Sequence, residues 1–297
     1  MLRLVVEGTV YTIQIECILC YNKNMSLSIN QDTIREMSYT DFVGFVNQWN
    51  VLPGAYTTLS KWGIFSRIDQ KSKILELACT SGFSLREISN MFGSSGLGVD
   101  ISEKSVDSAN FNKMTYSENL NIEYVVADGE DLTITEKYSH VIVGAALKFF
   151  PNPEKTVDKI AKEYLVDGGY LLASPFYVIK EIPQYLIDEA REVFGITITT
   201  TNYKDTMCLY KDFEVIYEDR EAIIEETEEE LAHYCDSTIK RICVVKNIKD
   251  KLIEDAMYSR LLKIKQMSNK LRHYQNYSTL VLRYRKNIYP NRYTELF

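Results

Sequence analysis

Short apolar runs punctuate the middle of this chain at intervals that leave room for a helix between them. Ile74-Leu75 runs into Glu76 and Leu77, Gly96-Leu97-Gly98-Val99 into Asp100, and Ile122-Glu123-Tyr124-Val125-Val126 into Ala127-Asp128. Val141-Ile142-Val143-Gly144 is apolar throughout, the pattern of a strand buried on both faces of a parallel sheet. Later strand-like runs are Tyr170–Ala173, Phe213–Tyr217 and Thr279–Tyr284. A helical pattern opens at Phe83, and Asn152-Pro153-Glu154 is a helix start, with a capping Asn and Pro in the first turn. That helix runs to about Tyr164 and buries Val157, Ile160 and Ala161, and a further helix covers Tyr185 to Phe194. Residues 40–66 read as helical cover ahead of the first strand, interrupted at Pro53-Gly54. Strands alternating with helices predict an α/β fold around a mostly parallel sheet.

About sixty residues separate the last two strands, far too many for a hairpin. Residues 218–236 hold nine acids and one Arg, whereas residues 246–273 hold eight Lys or Arg against three acids. Ile248, Leu252, Ile253, Met257, Leu261 and Ile264 recur at helical spacing in the second block. The segment reads as an acidic helix and a longer basic one, paired antiparallel. A basic helix with an apolar stripe also suits nucleic acid or a membrane surface, but the acidic neighbour favours internal charge compensation.

Composition narrows the possibilities. The chain has 297 residues, 45% hydrophobic and 25% charged, ordinary for a globular protein of about two domains. A net charge of −7 argues against nucleic acid as the main partner, and no run of eighteen apolar residues suggests a membrane span. Leu2–Val6 and Val10–Leu19 look strand-like, but Glu7, Gln14 and Glu16 interrupt them and make a poor signal peptide. Residues 1–24 read as an over-long start, with Met25 the natural one, or as a peripheral appendage. The six cysteines are scattered apart from the pair Cys17 and Cys20, and the three histidines form no cluster, so no metal site is expected and a reducing cytoplasmic location fits.

The chemistry concentrates after the first strand. Ala78, Thr80 and Gly82 alternate through the turn that follows Glu76, and small residues at a strand-to-helix turn let backbone approach a ligand beside free helix N–H groups. Ligands of open parallel sheets bind at the carboxyl ends of the strands. Three consecutive strand ends carry Glu76, Asp100 and Asp128, which suits a ligand with an amine, a ribose and an adenine. A nicotinamide dinucleotide fingerprint would need glycine where Ala78, Thr80 and Phe83 stand, and it gives Glu76 no role. A bare Rossmann-like domain with no active site leaves the three acids unexplained.

The run Glu76-Leu77-Ala78-Cys79-Thr80-Ser81-Gly82 resembles the first motif, acid-x-Gly-x-Gly-x-Gly, of the class I S-adenosylmethionine-dependent methyltransferases, with two glycines replaced. Asp100 matches that family's ribose-binding acid, Asp128 the acid facing the adenine amine, and Leu165–Leu172 the turn into the fifth strand. The resemblance is close over roughly residues 71–175. It implies a doubly wound, seven-stranded sheet of order 3-2-1-4-5-7-6 with strand 7 antiparallel, which makes the charged helical segment an insertion between strands 6 and 7. It implies S-adenosylmethionine as cofactor, held by Glu76, Ala78, Gly82, Asp100, Ile101, Asp128, Gly129, Glu130 and Ala145, with Tyr56 over the methionine end. It does not name the methyl acceptor. A small molecule or peptide-derived metabolite is the first reading, ahead of a protein or tRNA acceptor or a non-catalytic scaffold.

No catalytic residue is assigned. His140, His233 and His273 are the natural suspects for a base, and a structural or solvated imidazole is the ordinary alternative for each. No Asn/Asp-Pro-Pro-aromatic tetrapeptide follows the fourth strand, which disfavours DNA base methylation. The expected division is an N-terminal extension over 1–40, a core over 41–218 plus 277–297, and a helical cap over 219–276. Strand 6, being parallel, delivers that insert to the ligand end of the sheet.

Overall fold

The computed structural model describes residues 29–49 and 52–286, together with the backbone of two short strands near the start of the chain. Those strands, β1 (Leu2–Val6) and β2 (Thr9–Ile13), pair antiparallel. The rest of the expected strand Val10–Leu19, the pair Cys17 and Cys20, and Met25 lie outside the described residues. The helical cover is two helices and a short lead, not one continuous element: α1 (Gln31–Glu36), α2 (Tyr39–Phe45) and α3 (Ala55–Phe65). Then come β3 (Lys73–Leu77), α4 (Phe83–Phe92), β4 (Ser95–Asp100), α5 (Glu103–Tyr116), β5 (Ile122–Val126) and β6 (Tyr138–Gly144). A helix α6 (Pro153–Lys159), extended by a π turn over Ile160–Tyr164, leads into β7 (Leu165–Ala173) and β8 (Phe176–Val178). The chain ends, as described, with α7 (Gln184–Phe194), α8 (Tyr203–Cys208), β9 (Glu214–Ala222), α9 (Glu228–Val245), α10 (Lys251–Arg272) and β10 (Gln275–Arg283).

The strands lie in the order β5-β4-β3-β6-β7-β10, with β9 on the outer side of β10. Neighbours from β5 to β7 are parallel, and β10 is antiparallel to both β7 and β9. β8 pairs with β10 in the same register as β7, Tyr277 opposite Phe176 and Leu280 opposite Ala173, and Ser278 N donates to Pro175 O between them at 3.0 Å. β7 and β8 are therefore one strand interrupted at Ser174-Pro175, and the sheet has the order expected from the sequence, with one antiparallel strand. Its strands are longer than the apolar runs suggested. Glu218-Asp219-Arg220-Glu221 belongs to β9, not to the insert, because an edge strand takes its pairing from β10 and needs no apolar alternation.

Local sequence sets the ends. Asn152 caps α6 with Pro153 in the first turn, and Thr227 and Glu230 form a reciprocal capping box at α9. One face of the sheet packs Leu75, Val141, Leu171 and Leu280 against Val157, Ile160 and Tyr164 of α6 and its π turn. The other packs Ile74, Ile142, Leu172 and Val281 against Leu59 and Trp62 of α3, Leu85 and Ile88 of α4 and Ala109 of α5. On α5, Ser102, Ser105 and Ser108 present a stripe of short side chains to α2, and a Cβ on Gly44 would lie 2.5 Å from Ser105 N.

A third core belongs to the insert. Ile239, Ile242, Met257, Leu261 and Ile264 pack with Ile34, Phe42 and Phe45 of the N-terminal helices, Phe111, and Leu186 and Ala190 of α7. Leu252, on the expected stripe, is exposed, and Met267 and Leu271 complete the buried face instead. The two charge blocks answer one another. Glu226 receives both Lys265 and Arg272, Gln266 donates to Glu228, and the Arg260 guanidinium is spent on the carbonyls of Ile34 and Met37.

Candidate functional site

The turn after β3 keeps the conformation that a glycine-rich loop would adopt. Ala78, Thr80 and Gly82 have φ of 55°, 49° and 73°, so two residues with side chains occupy the left-handed region. Strain of this kind costs of order 1–3 kcal/mol per residue and persists only where surroundings enforce it. Here the enforcement is visible. Cys79 N donates to Val99 O at 3.0 Å, Thr80 N to Asp100 Oδ2 at 3.0 Å, and Gly82 N to Cys79 O at 2.8 Å. Gly82 cannot be replaced in the same way, since a Cβ there would meet the Tyr124 ring at 2.6 Å.

Glu76 ends β3 almost fully buried. Its Oε2 accepts from Leu85 N at 3.2 Å, and the Ser84 hydroxyl also bonds it, so the first turn of α4 closes over the carboxyl. Burial lifts its pKa from 4.5 to about 8, against the opposing pull of those two hydrogen bonds. Asp100 ends β4, with Oδ1 accepting from Ser102 N at 2.9 Å and Oδ2 from Thr80 N. Burial raises this carboxyl too, and the neighbouring Asp41, which accepts from Ser102 Oγ at 2.6 Å, acts in the same direction. Asp128 lies just past β5, exposed, its Oδ1 accepting from Glu130 N at 2.8 Å. Ala127 N donates to Asp100 O at 3.0 Å, which ties the second strand end to the third.

The structure thus gathers Glu76, Ala78, Gly82, Asp100, Ile101, Asp128 and Gly129 at one end of the sheet, with Ala145 just past the end of β6. Ile101 is 68% exposed beside Asp100. Glu130 is engaged elsewhere: its carboxylate accepts from Thr156 Oγ1 at 2.5 Å and its carbonyl from Lys159 Nζ, so only its N–H, on Asp128 Oδ1, serves the site's loop. Tyr56 packs edge-on against Phe83 and donates to Glu87 Oε2 at 3.2 Å, rather than touching Glu76 or Asp100.

The histidines do not join this group. His140 pairs with Ile74 at the amino end of the strands, opposite to the acids, where its Nε2 lies 3.1 Å from Ser66 O and its ring stacks on Tyr170. Burial lowers its pKa to about 4, which keeps it neutral and structural. His273 faces Glu225 at the end of α10, and His233 is exposed on α9. Sequence reasoning passed over three residues beside the loop. Ser81 Oγ donates to the carbonyls of Gln48 and Trp49, at 2.7 and 3.2 Å, and Arg86 lies buried under the Trp49 ring.

The site fits an adenosyl-amino-acid cofactor. Gly82 adds no side-chain cap of its own to α4, whose Leu85 N is taken by Glu76, and the acids stand at three successive strand ends. A methyltransferase-domain family model matches residues 74–169, the stretch that contains all three acids. The chain thus carries a methyltransferase domain, similar to those of the class I S-adenosylmethionine-dependent enzymes. Among solved structures, the MccD protein is 26% identical over 80% of this methyltransferase and all of that chain, with a TM-score of 0.64. A methyltransferase from Geobacter sulfurreducens, solved with S-adenosylhomocysteine, is 16% identical over 81% of this chain and 96% of its own, TM-score 0.61. Phosphoethanolamine N-methyltransferase 2 from Haemonchus contortus, solved with S-adenosylmethionine, is 16% identical over 88% of this chain and 61% of its own, TM-score 0.63. The latter two show the fold alone. No curated protein sequence matches this one. Among the described residues no helix is long and apolar enough to cross a membrane, and no His, Cys, Asp and Glu group could hold a metal ion.

Proposed function

We propose that this methyltransferase acts in the cytoplasm on a small-molecule or peptide-derived acceptor, beneath a cap formed by the insert between β9 and β10, residues 223–274. The reading is carried by one arrangement: the insert leaves β9 and returns to β10 at the end of the sheet that bears the acids, where Gln275 lies opposite Val178. From there a chain of bonds leads back to the cofactor loop. Arg241 of α9 donates to Asn47 O, and the adjoining Gln48 and Trp49 accept from Ser81. Arg260, Lys265 and Arg272 of α10 are taken up by acids and carbonyls of the same molecule, which leaves less for a nucleic-acid backbone and supports a small acceptor over tRNA.

S-adenosylmethionine supplies an electrophilic methyl group on a sulfonium. The chain's task is to align acceptor and donor and to keep water out. Glu76 would take the amino-acid ammonium, Asp100 the ribose hydroxyls and Asp128, held by Glu130 N, the adenine amine, with the backbone beside Gly129 bordering the adenine. Residues 145–150, following β6, border the acceptor side. The test is to incubate cell extract and the enzyme with methyl-labelled cofactor and identify the labelled product. Label in a low-mass metabolite supports the reading, and label retained only in protein or tRNA overturns it.

A further inference from the structure

The amino-acid end of the cofactor is a zwitterion, and the acids assigned above answer only its ammonium. The cation beside the loop is Arg86, in the first turn of α4 and 1% exposed. Its Nε and Nη2 pair with Glu87 Oε1 at 3.0 and 2.9 Å, while Nη1 is buried with no hydrogen-bond partner. A buried guanidinium donor left unpaired is costly, and such a group in a folded protein calls for a reason. Its surroundings are built. The Trp49 ring centroid lies 5.5 Å from the guanidinium carbon, and Trp49 is fixed by its Nε1 on Asn112 Oδ1 at 3.3 Å and by its carbonyl on Ser81 Oγ. The other oxygen of Glu87 accepts from Tyr56, so Glu87 is held from both sides and holds Arg86 in turn. Helical side chains lean toward the helix N-terminus, which directs Arg86 toward the Gly82 end of α4, where the helix dipole already favours an anion.

We propose that Arg86 binds the carboxylate of the cofactor's amino-acid end, with Glu87 and Trp49 positioning the guanidinium. Arg86 and Glu76 then grip the two charges of the zwitterion from one helix turn and the strand before it. The proposal rests on S-adenosylmethionine occupying this site, and the experiment separates the two claims. Calorimetry compares S-adenosylhomocysteine with its decarboxylated analogue, on the full chain and on the variants Arg86→Met and Arg86→Lys. The wild type should favour the carboxylate-bearing ligand by roughly tenfold or more. Arg86→Met should lose about that factor for S-adenosylhomocysteine and almost nothing for the analogue, and Arg86→Lys should fall between. Equal binding of both ligands by the wild type overturns the role of Arg86, as does an equal loss for both in Arg86→Met, the sign of a merely structural residue. Should Arg86→Met fail to give a cooperative melt, Arg86→Lys and the wild-type comparison decide. Binding of neither ligand by the wild type overturns the cofactor reading itself.

Discussion

Glu76→Gln isolates the one acid whose ionisation the fold holds furthest from ordinary. Burial lifts the Glu76 carboxyl from 4.5 to about 8. The folded state therefore keeps a proton that the unfolded chain releases, so this group makes the ligand-free protein less stable as pH rises from about 4.5 to 8. At about 1.4 kcal/mol per unit, the whole window is worth at most ~5 kcal/mol. An ammonium beside the carboxyl favours its ionised form. Binding below pH 8 should then expel a proton, and affinity should tighten with pH by up to about tenfold per unit. Gln keeps the shape but cannot titrate. Its melting temperature should lose this component of the pH dependence, and its affinity for S-adenosylhomocysteine should fall by the ~1.5–3 kcal/mol of a charge-assisted hydrogen bond and cease to vary with pH from this cause. Calorimetry between pH 6 and 8, in buffers of different ionisation enthalpy, reads the proton directly. Binding by the wild type with no proton release at pH 7, or melts of wild type and variant that run parallel from pH 5 to 8, would refute the reasoning.

Three further outcomes are expected. Asp128→Asn keeps an acceptor for the adenine amine and should weaken cofactor binding less than Asp128→Ala; neutrality of both would place the adenine elsewhere. Thr80→Gly relieves a β-branched residue at φ 49° and should leave thermal stability unchanged or raised by up to about 1 kcal/mol, after the flexibility Gly adds to the unfolded chain; a clear loss in a melt would contradict the strain. Met257→Ala, at the fully buried centre of the core shared by α10 and the N-terminal helices, should cost about 2–5 kcal/mol in denaturant unfolding, whereas an insert loosely attached to the sheet would lose far less.

The sheet was legible because short apolar runs recur with room for a helix between them and three of them lead into acids, and because Asn152-Pro153 and the insert's charge blocks mark helices by chemistry that acts locally. The extent of β9 was not, since Glu218 to Glu221 alternate no apolar residues and become a strand only through β10. Ala78 and Thr80 read as departures from a glycine motif, yet the backbone adopts the same left-handed turn, because bonds from Val99 and Asp100 impose it. Register along β6 was also beyond the sequence. His140 sits four residues before Gly144, and only its pairing with Ile74 shows that it faces the wrong end of the sheet. The network of Trp49, Arg86 and Glu87 joins segments nearly forty residues apart, which no local pattern encodes.

The central claim is that S-adenosylmethionine binds at the carboxyl ends of β3, β4 and β5, with Asp100 on the ribose. Titrating the cofactor into the wild type and into Asp100→Ala, each shown by its melt to be folded, tests it most directly. The account predicts one site per chain in the wild type and binding weakened by at least about tenfold in the variant, the equivalent of losing one charge-assisted hydrogen bond. Equal affinity in the two proteins would contradict it.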